Sequence, residues 1–137
     1  MTEKEKVEQL ESYKFLIMQI KGYVRELKMY RSMSIDISQK YSDMPHGTGG
    51  TSAKYEKPVD AIADMIREAE KDLQDAKRKR DRIRTGVNKI TNIRYQTLLK
   101  LWYINCIPLD DIAEVMGQSD RRGLYSLRKS ALKYFDI

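Results

Sequence analysis

A chain of 137 residues has room for one modest domain, or for a small core with a long helical arm, but not for two full globular domains. Hydrophobic residues make up 41% of the chain and charged residues 34%. This balance is too apolar for a disordered chain and too charged for a compact β-sandwich, so the composition favours long helices with charged faces.

The net charge of +6 is carried by the C-terminal part of the chain. From residue 77 onward there are 14 Lys and Arg against 6 Asp and Glu, whereas the first 76 residues have a net charge of −2. A basic segment suits an acidic partner such as nucleic acid or an anionic membrane face, although charge also serves solubility alone. Within it, KRKRDRIR at residues 77–84 is either the solvated face of a long helix or a phosphate-binding run.

The chain has one cysteine, Cys106, and one histidine, His46. An intramolecular disulfide is therefore excluded, and the residues for a Cys/His zinc cluster are missing. We expect no metal and no cofactor, and a reducing cytoplasm as the location. The N-terminal residues contain no apolar stretch of signal-peptide or membrane length, so we expect neither export nor a membrane partner.

Two long segments carry apolar residues at the alternating three- and four-residue spacing of a heptad seam. The stretch between them, at about residues 42–57, is rich in Gly and Pro, which break helices. Such segments most simply fold back as an antiparallel coiled-coil hairpin over residues 1–90, although the seam could equally pair with a second chain in a homodimer. The seam residues are Leu10, Tyr13, Ile17, Ile20, Val24 and Leu27, then Val59, Ile62, Ile66, Ala69, Leu73, Ala76, Arg80, Ile83, Val87 and Ile90, with Arg80 as the one charged residue among them.

Residues 91–137 form the second predicted domain, which begins with a core helix. Thr91 or Asn92 can cap the N-terminus of this helix, and Pro108 stops it. Its apolar residues share one broad face, which is typical of a buried helix that supports neighbouring elements. These residues are Tyr95, Leu98, Leu99, Trp102 and Tyr103.

Two short helices separated by a glycine are expected after Pro108. The first covers about residues 109–116, with Asp110 and Asp111 in its first turn, where carboxylates complement the helix dipole. Gly117 permits a tight turn, and Ser119 or Asp120 caps the second helix. Helical spacing turns one set of residues of the second helix inward, namely Leu124, Leu127, Ala131 and Leu132.

The outer face of the second helix is basic and polar. Such side chains suit base edges and phosphates, and the N-terminal residues of a recognition helix enter the major groove of B-DNA. The short helix, the glycine turn and the basic helix together predict a helix-turn-helix that binds double-stranded DNA. Its candidate DNA-binding residues are Arg121, Arg122, Tyr125, Ser126, Arg128, Lys129 and Lys133.

The run IAEVMGQSDRRGLYSLRKSALKYF resembles the helix-turn-helix of sigma-factor region 4, and more closely that of RinA- and ArpU-type phage transcriptional regulators. MPHGTGG at residues 44–50 is similar to the loop of these regulators, LLKLWYINCIPLDDIAEVMG to the entry of their helix-turn-helix, and SALKYF to its last turn. The resemblance spans most of the chain. It implies a regulator of phage genes that acts at promoters with host RNA polymerase, in the cytoplasm of a bacterial host or a prophage-carrying cell.

The turn differs from that of the usual motif in its length. Met116 and Leu124 are eight residues apart, one more than expected between the corresponding buried positions, and Gly123 takes the place of a buried branched residue. The pattern therefore leaves open which of Arg121, Arg122 and Tyr125 points into the groove.

Two other functions stay open. A small coiled-coil protein with a helix-turn-helix also describes phage terminase small subunits, which bind DNA during packaging and form rings. A pure protein-interaction module would instead use the heptad seams as its active surface. An enzyme is not expected and no catalytic residue is proposed, because the sequence shows no Cys/His pair, no Gly-rich phosphate loop after a strand and no paired carboxylates in a predicted pocket.

Overall fold

The structure, a computed structural model, describes the backbone of residues 1–42 and 52–137 and the side chains of residues 1–39 and 59–137. No strand occurs in these ranges, so the prediction of an all-α fold is confirmed. The elements in chain order are α1 at Glu3–Ser42, α2 at Ser52–Asn88, α3 at Ile93–Leu99 with a π-helical continuation at Lys100–Ile104, α4 at Leu109–Val115 and α5 at Arg121–Leu132.

Helix α2 begins inside the stretch that the sequence assigns to the loop. The predicted loop covers about residues 42–57, whereas the helix starts at Ser52. The first six helical residues, SAKYEK, are mostly good helix formers. The predicted loop is too long because it is extended as far as the helix breaker Pro58, which follows them. The MPHGTGG motif and His46 lie outside the described residues.

The chain separates into two compact units, and the division cuts both long helices. The first unit contains Met1–Met18 and Lys77–Ile137, and the second contains Gln19–Ala76. This division differs from the predicted boundary at residues 90 and 91, because the outer ends of α1 and α2 pack with the C-terminal helices. Lys6 of α1, for example, donates a hydrogen bond of 2.8 Å from its Nζ to the carbonyl oxygen of Leu132.

Helices α1 and α2 contact each other within each unit. In the first unit, Arg84 donates a hydrogen bond of 2.6 Å to the hydroxyl of Tyr13, 71 residues earlier. In the second unit, Arg31 donates one of 3.0 Å to the carboxylate of Glu70, 39 residues later. The antiparallel hairpin over the whole length of the two helices stays a prediction.

Most residues of the predicted seam are buried. Val24 is an exception, because 41% of its surface is exposed, and Ile17, Val59, Ile66 and Arg80 are half-buried. Leu16, which the heptad pattern leaves out, is buried. The buried seam residues are Leu10, Tyr13, Ile20, Leu27, Ile62, Ala69, Leu73, Ala76, Ile83, Val87 and Ile90.

The core of the first unit is closed at the C-terminal end of the chain by Phe135, whose side chain is completely buried. Gly86 of α2 makes room for it: a Cβ at Gly86 would lie 2.7 Å from the carbonyl oxygen of Asp136 and 2.9 Å from Cε2 of Phe135. The missing side chain thus lets the last residues pack directly on α2. The C-terminal helices add Leu98, Leu99, Tyr103, Ile112, Ala113, Leu124, Ala131 and Leu132 to this core.

Helix α3 begins at one of the two predicted caps. The side-chain oxygen of Asn92 accepts hydrogen bonds from the backbone N–H groups of Arg94 and Tyr95 at 3.0 and 3.3 Å, which satisfies two donors that have no partner within the helix. After the π-helical segment, Cys106 adopts a left-handed φ of +51°. The chain then passes through Pro108 into α4.

Candidate nucleic-acid interface

Helices α4 and α5 pack against each other across a tight turn. Gly117 has a φ of +69°, a conformation that favours glycine. Asp120 caps α5, since its carboxylate accepts a 3.1 Å hydrogen bond from the backbone N–H of Gly123. Ile112 of α4 and Leu124 of α5 are completely buried. Helix α4 ends at Val115 and α5 begins at Arg121.

The unusual turn length has a structural counterpart at Gly123. A Cβ at Gly123 would collide with the side-chain amide of Gln118, so the turn residue lies directly over the first turn of α5. Gly123 is half-buried, and Leu124 fills the core position instead. Because residue 123 is a glycine, Gln118 of the turn can lie against α5 at this position. The core keeps a branched side chain there, that of Leu124.

Four of the seven candidate residues form one exposed stripe along α5. Arg122, Ser126, Lys129 and Lys133 are separated by four, three and four residues, which places them on a single helical face, and all four are exposed. The three cations form no ion pair or hydrogen bond with another side chain in the described part of the molecule. This stripe, called the α5 stripe below, is therefore available to an acidic partner.

Arg121 lies beside the stripe and is paired within the protein. Its Nε and a terminal nitrogen donate hydrogen bonds of 3.0 and 3.2 Å to the two carboxylate oxygens of Asp110, in the first turn of α4. The hydrogen bonding and the charge of Arg121 lower the pKa of Asp110, and Asp110 raises the pKa of Arg121 in return. Both side chains are mostly exposed.

Arg128 is half-buried in an aromatic cluster. Its guanidinium carbon lies 5.0 Å from the ring centroid of Trp102 and 5.1 Å from that of Tyr125, within the range of cation–π attraction. One terminal nitrogen donates a 3.2 Å hydrogen bond to the hydroxyl of Tyr103. Burial raises the pKa of that hydroxyl, and the hydrogen bond from Arg128 opposes the rise.

Tyr125 and Trp102 complete this cluster. The two rings meet edge-on with centroids 5.5 Å apart, and Tyr125 keeps 46% of its surface exposed. Trp102, expected in the core, is half-buried. Arg128 therefore joins α5 to the π-helical segment, which makes it a residue that positions α5 rather than part of the free stripe.

Acidic residues of α1 border α5 on the Arg128 side. A groove of about 540 Å³ in the first unit is lined by Glu3, Lys4, Val7, Glu8, Glu11 and Arg128. Three carboxylates beside a single arginine and a single lysine repel phosphate. The charges of this groove therefore disfavour an acidic partner there, whereas the cations of the α5 stripe favour one.

Some residues of the basic run of α2, at residues 77–84, have partners within the protein. Arg80 contacts Asp81 at 3.0 Å, and the guanidinium of Arg84 lies 5.9 Å from the ring centroid of Tyr13, to whose hydroxyl it also donates. Lys79 and Arg82 are exposed. Phosphate binding by this run stays a prediction.

The helical spacing of the sequence distinguishes the outer face of α5 from its inner face, but it does not indicate the partners of Arg121 and Arg128. The sequence pattern indicates a dipole contact for Asp110 and core positions for Trp102 and Tyr103, and no contact of any of them with an arginine. A carboxylate in the first turn of α4 is a weak signal for a cross-helix pair, because many acidic residues there remain unpaired. The spacing of Arg122, Ser126, Lys129 and Lys133 was visible in the sequence and would have distinguished the stripe.

Replacing Arg128 with Met should lower the free energy of unfolding by about 1 to 2 kcal/mol. The methionine keeps the apolar stem but loses the cation–π contacts and the hydrogen bond to Tyr103. Urea unfolding followed by tryptophan fluorescence would measure the loss. Arg122→Met is the matched control on the same helix and should change the free energy by less than about 0.5 kcal/mol. Equal effects of the two substitutions would contradict the positioning role.

In the described part of the chain, no three His, Cys, Asp or Glu side chains are grouped so that they could hold a metal ion. None of the helices over the same residues is long and apolar enough to cross a membrane.

The fold and the candidate site together define an all-α protein whose C-terminal helix exposes a basic stripe. A family model described as "Protein of unknown function (DUF1492)" matches residues 37–136, well over half of the chain. The chain therefore belongs to the DUF1492 family. No curated protein and no solved structure matches the chain.

Proposed function

We propose that the protein is a sequence-specific double-stranded-DNA-binding regulator of transcription that uses α4, the turn and α5 as a helix-turn-helix. The observation that carries this proposal is the α5 stripe: three cations and a serine on one face, exposed and without an ion pair to any other described residue. An enzyme reading is not part of the proposal, because the basic stripe offers binding groups and no nucleophile paired with a base.

The dimensions of α5 suit the major groove. Its 12 residues make a helix about 18 Å long, and the major groove of B-DNA, about 12 Å wide, admits one helix. Arg122 lies in the first turn, where recognition helices contact base edges, and an arginine fork pairs well with guanine. Lys129 and Lys133 lie two and three turns later, so we assign them to phosphates.

The promoter and polymerase parts of the proposal are supported by the resemblance to RinA- and ArpU-type phage regulators. Host RNA polymerase is the proposed protein partner, and a homodimer through the heptad helices is compatible with the proposal. A packaging subunit would bind DNA in the same way but assemble as a closed ring. Light scattering on the purified protein separates these cases, since a regulator should be a monomer or a dimer.

The test compares Arg122→Ala with Lys133→Ala on two duplexes, one selected from a randomised library by the wild-type protein and one of random sequence. Arg122→Ala should cost about 1 to 3 kcal/mol on the selected duplex and reduce the preference for it. Lys133→Ala should lower the affinity for both duplexes equally and reduce the slope of log K against log salt concentration by about one. Fluorescence anisotropy at several salt concentrations measures both quantities.

Lys71→Ala is the control for the loss of one positive charge. Lys71 is exposed on α2, outside the α5 stripe, so this variant should bind both duplexes like the wild type. If the wild-type protein binds neither duplex at low salt, where even sequence-independent electrostatic binding is strong, the proposed function is wrong and the protein-interaction hypothesis replaces it.

A further inference from the structure

We propose that Asp110 competes with DNA phosphate for the guanidinium of Arg121 and thereby limits sequence-independent DNA binding. This inference rests on the proposed DNA-binding function. It assigns a role to a residue of α4 that is not among the predicted DNA-binding residues: Asp110 determines how many cations of α5 can contact DNA phosphates.

The geometry of the pair supports direct competition. Asp110 engages Arg121 with both carboxylate oxygens, at 3.0 and 3.2 Å. A phosphate group offers two oxygens to the same planar fork in a similar arrangement. Arg121 therefore cannot bind a phosphate through this fork while it remains bound to Asp110, and the two acceptors exclude each other.

The position of Arg121 at the N-terminus of α5 explains why its pairing with Asp110 would affect DNA binding. Arg121 is the first residue of α5, next to Arg122 of the α5 stripe. The positive end of the helix dipole lies at the same place, so two arginines and the dipole would together attract any phosphate, whatever the base sequence. Asp110 neutralises one of these charges, whereas Arg122 in the same turn has no ion-pair partner among the residues that the structure describes.

The exposure of the pair makes the exchange reversible. The side chain of Arg121 is 58% exposed and that of Asp110 77%. Ion pairs between solvent-exposed side chains contribute little to folding, so a competing phosphate can displace the carboxylate without disturbing the core. Asp110 also repels phosphate by its own charge.

Asp111 supplies the matched control. It is the neighbouring residue in the first turn of α4, carries the same charge and is exposed, but it forms no ion pair with Arg121. Asp110→Asn and Asp111→Asn each remove one negative charge close to α5. A difference between these variants therefore measures the release of Arg121 and not the change in net charge.

The experiment measures binding of a random-sequence duplex to both variants at several salt concentrations. Asp110→Asn should raise the affinity about threefold to tenfold more than Asp111→Asn does, and should steepen the salt slope by about one because Arg121 then neutralises an additional phosphate. The selected duplex should gain by the same factor, since a phosphate contact carries no sequence information. In an Arg121→Ala background, the two Asp variants should bind alike.

A second measurement does not depend on the Asp variants. Arg121→Ala in the wild-type chain should weaken random-duplex binding much less than Lys133→Ala, because Arg121 is already neutralised. Equal binding by Asp110→Asn and Asp111→Asn, or a loss with Arg121→Ala as large as with Lys133→Ala, overturns the inference while the proposed function stands. An absence of DNA binding by the wild type and by every variant overturns the proposed function itself.

Discussion

Replacing Phe135 with Ala is expected to lower the free energy of unfolding by about 3 to 5 kcal/mol. The ring is completely buried behind α5 and lies against α2 at Gly86, so its removal leaves a cavity as well as losing apolar contacts. Because these contacts fix the end of α5, the proposed DNA binding should fall with the folded fraction. Chemical unfolding followed by circular dichroism would give the free energy.

The adjacent residue provides the control for this prediction. Tyr134 is also aromatic, but 62% of its surface is exposed, and its ring stacks on Tyr95 with the centroids 5.5 Å apart. Tyr134→Ala should therefore cost about 1 kcal/mol or less. Equal losses of unfolding free energy for the two alanine variants would contradict the prediction, because the burial of the Phe135 ring would then make no difference.

The local features of the C-terminal helices were predictable from the sequence. Asn92 and Asp120 cap the helices, Gly117 adopts the positive φ of the turn, and Leu124 and Ala131 face the core. Each of these follows from the conformational preference of one residue or from the 3.6-residue period. Such rules need no knowledge of distant residues.

The division of labour among the arginines of α5 was not predictable in the same way. In the sequence, Arg121, Arg122 and Arg128 are equivalent cations on one helix. They differ because Asp110 lies 11 residues before Arg121 and Trp102 lies 26 residues before Arg128, and only the packing of α4 and the π-helical segment on α5 brings these groups together. The charge pattern thus predicts the candidate interface, whereas the structure is needed to see which of its arginines have a partner within the protein.

The register of α1 shows a second limit of pattern analysis. The heptad pattern expects one seam, yet Leu16 is buried and Val24 is 41% exposed. The first turns of α1 also pack in a unit that contains the C-terminal helices, so residues beside the seam become buried there. A single periodic stripe describes a helix with one neighbour, and it fails where a helix has several.

Replacing Leu73 with Asp is expected to lower the free energy of unfolding by about 3 to 5 kcal/mol, because it places a charge without a partner among apolar side chains. Leu73 is 7% exposed in the second unit, where it belongs to the same buried stripe of α2 as Ala69 and Ala76. Thermal unfolding at several protein concentrations would measure the effect. A midpoint that does not depend on concentration identifies pairing within one chain, whereas a rising midpoint identifies a seam shared between two chains.

Gln74→Asp is the control for Leu73→Asp. Gln74 is exposed on the same turn of α2, so the same new carboxylate remains in water there and should change the free energy by less than about 0.5 kcal/mol. The contrast between neighbouring positions separates the burial of charge from the change in net charge and from helix propensity, since both variants gain an aspartate in the same helix. An unchanged melting temperature for Leu73→Asp would contradict the predicted pairing of α1 with α2, because no buried seam would then exist at that position.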